Sequence, residues 1–395
     1  MKINIRKIEI VVLSIIILSN ISYAQIAVKA DIIYTMAGDK IENGVILVKD
    51  DKIEEVGSAS EISIPDNYKI IKGKIVTPGL IDVHSVVGLA GIYNSKHDQQ
   101  QLETSDPIQP ELRAFDAYNP NDELVSYLSE FGVTTINTGH APGALSSGQS
   151  MIIKTTGKMN STSILDSVFS VVFSLGTEVS KAFKSPGTRP KGIAMLRSAF
   201  VEAQNYKANE ESVFNLKNEI LVDVLDKKIP AVITANSSVD ILGALRLADE
   251  FKFDLILDGA AESYLVTEEI KESGFPVFLH PLMAREKNIS YETPKTLSDN
   301  DISFAIQGGY ESYVPKTRIV LFEAAIAAAN GLTFDEALSS VTISAAKILK
   351  IDNRVGSLEV GKDADIVIYD GDPFEYTSHV CHVILNGEVI HSNCK

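Results

Sequence analysis

The chain has 395 residues, with 36 Lys and Arg against 52 Asp and Glu and a formal charge of -16. That balance excludes a phosphate backbone or an anionic membrane surface as the main partner, because either would call for a basic stripe. Apolar residues make up 45%, enough for a large core, so neither a disordered chain nor a disulfide-dense miniature fits. With no Trp and 7% aromatics, binding through stacking platforms has little to build on, and two Cys cannot make a four-thiolate zinc site or an iron–sulfur cluster.

In chain order, Lys2, Arg6 and Lys7 form a basic start, Ile10 to Leu18 is an apolar run, and Ser22-Tyr23-Ala24 has small residues at peptidase positions. This pattern predicts a secretory signal (residues 1–24) cleaved after Ala24, and an exported, periplasmic or secreted, protein with no membrane span once it is removed. Residues 25–75 read as short strands, with Asp50-Asp51 as a tight turn between two of them. From Lys74 onward, strand-length apolar runs alternate with helical stretches: Lys74 to His84, Val133 to His140, Met151 to Thr155, Val168 to Gly176, Pro230 to Asn236, Phe253 to Gly259, Pro276 to His280 and Ile302 to Gln307. Eight such runs separated by helices predict an α/β chain with a (β/α)8 TIM-like barrel over residues 76–359. Asn119-Pro120 ahead of Asp122 and Glu123 reads as a helix start. Ile241, Leu242, Leu245 and Ala248, and likewise Phe322, Ala325, Ile326 and Ala329, repeat at helical spacing. Residues 360–395 return to strands, with Asn386-Gly387 as a hairpin turn. The two β-rich ends are expected to complete one small β-sandwich outside the barrel.

Val76-Thr77-Pro78-Gly79-Leu80-Ile81-Asp82-Val83-His84 resembles the first barrel strand of the metal-dependent amidohydrolase superfamily, in the branch near imidazolonepropionase. Arg354-Val355-Gly356-Ser357-Leu358-Glu359-Val360-Gly361-Lys362-Asp363-Ala364-Asp365-Ile366-Val367 resembles that family's return into its β-sandwich. The resemblance implies hydrolysis of non-peptide or cyclic C–N bonds by a hydroxide bound to a divalent metal, zinc above all, held at the C-terminal ends of the barrel strands. It also implies where the ligands should stand, and most are missing. The His-x-His of the first strand reads His84-Ser85-Val86, which leaves His84 as the retained ligand. The fifth strand reads Thr234-Ala235-Asn236, and the sixth places Gly259 at the ligand position. The eighth reads Gln307-Gly308-Gly309-Tyr310 in place of an Asp, and the fourth-strand lysine falls near Val172. Fewer than three ligands cannot hold a catalytic zinc with an open position, so the metal mechanism is expected to be lost.

What remains is a set of strand-end histidines. His140 and His280 are candidate catalytic groups beside His84, against a reading in which each is a locally bonded loop histidine. Arg285 is a candidate clamp for a substrate carboxylate, against an ordinary surface ion pair. The Gly- and Ser-rich stretch Thr138 to Gln149 could cradle an anion or be structural only. No Gly-x-Ser-x-Gly elbow supports a serine hydrolase. Outward counting from Asn386-Gly387 puts His382 opposite His391 and Cys381 diagonal to Cys394, within reach of a bridge that an exported protein would favour. Two partner classes follow. One is a small-molecule substrate at a residual site. The other is a non-catalytic binding or scaffolding role, as a homo-oligomer or as the companion of an intact amidohydrolase.

Overall fold

The computed structural model describes residues 25–93, 95–282, 287–310 and 319–394. The expected signal segment and Arg285 lie outside these residues. No helix among the described residues is long and apolar enough to cross a membrane.

The amino-terminal β-rich stretch forms strands β1 (Ile26–Ile33), β2 (Ile41–Lys49), β3 (Lys52–Ser58) and β4 (Lys69–Pro78). The barrel follows as β5 (Leu80–Ser85), β6 (Val133–Gly139), β7 (Ser146–Lys154), β8 (Ile164–Ser174), β9 (Ala231–Ala235), β10 (Leu255–Gly259), β11 (Val277–Leu279) and β12 (Phe304–Ile306). The chain ends in β13 (Ile366–Tyr369), β14 (Val380–Leu385) and β15 (Glu388–Ser392).

The two ends join in one seven-stranded sheet ordered β15-β14-β13-β4-β1-β2-β3. The small domain is thus a single mixed sheet in which β1 runs parallel to β4, where two facing sheets were expected. The run read as one strand from Lys74 to His84 is split at Gly79. Its first half, as far as Pro78, pairs with β13, and its second half starts the barrel. A Cβ at Gly79 would overlap the Thr134 side chain, so this crossing between sheets needs glycine.

The eight barrel strands form one sheet in sequence order, with β12 returning beside β5 to bring the cylinder nearly closed. All the expected strands are present, but one departs from a regular (β/α)8 pattern: β7 runs antiparallel to both β6 and β8. The connections around it are short hairpins without helices, and a parallel crossover needs a dozen residues or more. The remaining pairs are parallel. One apolar cluster takes Ile152, Phe169, Val232, Ile256, Phe278 and Ala305, together with Ile81 and Val83, from seven of the eight strands, which fills the barrel with side chains as the fold requires.

The first helix is Glu123–Glu130, capped by Asp122, whose carboxylate accepts the Leu124 N–H at 2.8 Å. The start read at Asn119-Pro120 is instead a turn, with Asn119 Oδ1 accepting from Asn121 N at 3.1 Å. The helix Ser238–Phe251 buries Ile241 and Ala248 of the expected set, but Ala244 and Leu247 complete the inner face while Leu242 and Leu245 are half-buried. The helix Val320–Ala329 buries Val320, Leu321, Ala324 and Ala327 and leaves Phe322 exposed. Apart from Glu323, which is buried, it is apolar all round, so spacing alone could not choose its inner face.

Asn386-Gly387 makes the expected hairpin, with Leu385 opposite Glu388. A bulge between Val383 and Ile384 then shifts the register, so His382 faces Ser392 and His391 faces Val383. The expected facing pair of histidines is therefore not formed. Cys381 and Cys394 are joined as a disulfide.

Candidate active site at the barrel mouth

Because side chains alternate along a strand, the residues two positions beyond the apolar layer of Val232, Ile256, Phe278 and Ala305 share its inward face. They are Thr234, Asp258, His280 and Gln307, one polar storey at the C-terminal end where barrel enzymes do their chemistry. Asp258 is the centre of this storey and is fully buried. Its Oδ1 accepts from His84 Nδ1 at 2.7 Å and from Gln307 Nε2 at 2.8 Å. Its Oδ2 accepts from Thr234 Oγ1 at 2.5 Å. The Gln307 amide is oriented by a second bond, Nε2 to the Phe278 carbonyl at 3.2 Å.

The electrostatics follow from these contacts. Burial pushes the Asp258 carboxyl up, but the His84 charge and the bonds from His84, Thr234 and Gln307 outweigh it and leave it below the usual carboxylate value. For His84 burial pulls down, while the Asp258 charge and hydrogen bond pull up more strongly, so the imidazole stays protonated more readily than a free one. Each partner thus favours the charged form of the other, and His84 Nε2 is buried and unbonded among the described residues. Tyr310 lies against it, ring centroids 5.2 Å apart.

Asp82, two residues before His84, accepts the Gly308 N–H at 3.0 Å and the His84 N–H at 3.3 Å on one oxygen. Burial pushes its carboxyl up to about 6, with those N–H groups offsetting only part. A side chain at position 308 would bring its Cβ to 2.6 Å from Asp82 Oδ2, which explains glycine there.

Of the three strand-end histidines, His84 enters the Asp258 network. His140 is buried, and neither ring nitrogen finds a hydrogen-bond partner among the described residues. Burial drives it down to about 4, the nearby Gln101 backbone restoring little. His280 stands in the inward register, with Nδ1 on the Pro281 carbonyl at 2.7 Å and its N–H on the Gly259 carbonyl at 2.7 Å. Asp258 was the residue to notice in the sequence. It stands one place before the expected ligand position, and its signal was a lone acid ending an apolar strand.

The donors do not fit the metal pair that the resemblance implies. Val86 is packed in an apolar cluster with Ala90 and Ala141. Gly259 has a left-handed backbone (φ +77°), and a Cβ there would overlap Asn236 Oδ1, so the space for a histidine is taken. Gln307 turns an N–H donor inward, toward Asp258. Among the described residues no three His, Cys, Asp or Glu side chains are grouped to hold an ion.

Residues 296–391 match the sequence profile of the amidohydrolase family. Imidazolonepropionase of Thermoplasma volcanium is 22% identical over 90% of this chain and 93% of its own length. The Fusobacterium nucleatum imidazolonepropionase is 24% identical over 93% and 97%. The amidohydrolase tasK of Hapsidospora irregularis is 24% identical over 88% of this chain, which spans 39% of that protein. Among solved structures, an amidohydrolase from Thermotoga maritima superposes with a TM-score of 0.86 at 28% identity, covering 92% of this chain and 99% of that one. With barrel, appended sheet and first-strand motif all in agreement, the chain belongs to the amidohydrolase superfamily, in its imidazolonepropionase-like branch.

Proposed function

We propose that this protein is an exported amidohydrolase-superfamily member that has given up the binuclear metal mechanism and uses its barrel mouth to bind a small cyclic C–N compound, with His84 as the group that exchanges a proton with it. One observation carries the reading: the buried carboxylate of Asp258, bonded by His84, Gln307 and Thr234, sits at the middle of the polar storey. An anion at that centre, satisfied from three sides, rebuilds the storey around a protein charge. The unbonded Nε2 of His84 then faces whatever occupies the mouth, and Asp258 fixes the ring in the manner of an acid–base histidine. The ligand class is taken from the relatives named imidazolonepropionases. The Cys381–Cys394 disulfide supports export, since such bonds persist in oxidising compartments.

The test is elemental analysis of the purified protein, paired with an assay of imidazolonepropionate binding and turnover. The expected result is well under one equivalent of zinc, manganese or iron, with binding that chelator leaves unchanged. Two equivalents retained through dialysis, with chelator-sensitive hydrolysis, would overturn it. If turnover is found without metal, substituting His84, His140 or His280 by Ala should abolish it and His382→Ala should not.

A further inference from the structure

A second concave site lies on the flank of the barrel; none of its lining residues belongs to the Asp258 network, although Leu175 donates its backbone N–H to the Thr234 carbonyl at 2.9 Å. Beyond the end of β8 the chain runs through Leu175 and Gly176. Together with the helices Arg189–Ala208 and Ser238–Phe251, this stretch encloses a cavity of about 610 Å³, a size that suits a small organic ligand. Its apolar wall includes Leu145, Leu175, Val179 and Ile193.

Two features of this cavity have no structural explanation. The first is a pair of glycines inside helices, Gly192 and Gly243, both lining it. Neither has a positive φ, and a Cβ would meet its nearest neighbour at 3.4 Å for Gly192 and 3.8 Å for Gly243, ordinary contact in each case. Glycine weakens a helix relative to alanine, so a pair with no steric need marks space that is kept open. The second feature is charge. Three arginines and one aspartate line the cavity, in a chain whose formal charge is -16. Arg189 is committed to Asp240, through Nε at 2.7 Å and Nη2 at 3.1 Å. Arg197 is committed to Glu250 at 2.6 and 2.7 Å. Arg246, on the same helix as Gly243, has no carboxylate partner among the described residues. It is the cation left over, at the edge of an apolar wall.

We infer that this cavity is a binding site for an amphipathic organic anion, a carboxylate on an apolar body, with Arg246 taking the carboxylate and the body lying over Leu175, Val179 and Ile193 in the space left by Gly192 and Gly243. A guanidinium and a carboxylate pair through two parallel N–H bonds, and the apolar wall gives the rest of the ligand its affinity.

Octanoate and the uncharged octanol serve as probes in calorimetric titrations of the full chain. Octanoate should bind about ten-fold more tightly than octanol, the difference expected for charge-assisted hydrogen bonds. Arg246→Gln should erase that difference while leaving octanol binding and the melting temperature unchanged, because Arg246 is exposed. Gly243→Leu should abolish binding of both probes by filling the cavity. Equal affinity for the two probes, octanoate binding indifferent to Arg246→Gln, or no binding of either at millimolar concentration would each overturn the inference.

Discussion

Two buried polar clusters at opposite ends of the same barrel are finished to different degrees. Where the barrel meets the appended sheet, Lys154 is wholly buried and reaches Asp363 at 2.7 Å and Asp365 at 2.9 Å. It also donates to Asn386. Asp363 is held further by Lys52 and by Arg354, the latter at 2.7 Å. At the mouth, His84 Nε2, both nitrogens of His140, Gln307 Oε1 and Asn236 Oδ1 are buried without a hydrogen-bond partner among the described residues. A buried polar atom is normally satisfied. The first cluster, in which even Asp365 Oδ2, without a hydrogen bond, is neutralised by Lys154, therefore reads as a fastener between domains, and the second as a surface prepared for a ligand.

The largest expected effect comes from cutting the fastener. Lys154→Met leaves two buried carboxylates without their shared cation, and removing one partner of a buried pair costs about 3–5 kcal/mol. The check is the denaturant midpoint, and an unchanged midpoint would mean that the cluster does not join the domains. The same cluster sets an acid limit. Burial would raise the Asp363 carboxyl, but Lys154, Lys52 and Arg354 outweigh it and hold it down to about 2. A depressed carboxyl contributes stability that is complete above its ordinary value of 3.8 and is lost as pH falls toward about 2. The wild-type stability should thus fall in that interval, and the Lys154→Met protein should fall less.

Next in size is Asp258→Asn at the mouth. It removes the charge that His84 pairs with and turns an NH2 donor either toward Thr234 or toward His84 and Gln307, leaving a buried group unsatisfied at about 1–3 kcal/mol. Its more telling readout is the His84 titration followed by NMR. With the carboxylate charge gone, burial is opposed only by Asp82 and the His140 backbone, and the imidazole should titrate lower than in wild type. A titration that stays put would show that Asp258 does not hold the ring.

The sequence displayed these two regions unequally. The eight strands are visible because each is an apolar run, and the Val76-to-His84 motif names the fold. Direction is invisible in such runs, so the reversal of β7 escapes. Only the shortness of the links after Gly139 and after Lys154, too brief for a helical crossover, carried that signal. Lys154 sits at the end of a run otherwise suited to burial, and its partners lie some two hundred residues on, so their meeting depends on the fold. At the mouth, the motif directs attention to absent ligands. The residue that reorganises the site, Asp258, lies beside one of them and bonds to His84 across 174 positions of sequence.

The smallest expected effect separates two groups of the mouth by the sign of their pH dependence. Asp82 is raised by burial to about 6, so the folded state holds its proton longer than the unfolded chain, and its contribution to stability declines as pH rises from 3.8 to about 6. His140 is lowered by burial from 6.5 to about 4, so the folded state releases its proton sooner, and its contribution grows as pH rises from about 4 to 6.5. In the wild-type protein the two slopes oppose each other over most of the same interval. His84 acts above it, being raised from 6.5, and Asp258 acts below it, being lowered from 3.8. Asp82→Asn removes one slope and should leave a protein that loses stability as pH falls from 6.5 to about 4. His140→Asn removes the other and should leave one that loses stability as pH rises across nearly the same range. Melting temperatures of the three proteins measured through this interval should therefore fan out in opposite directions from the wild-type line, and parallel profiles would show that these two groups titrate as they do in water.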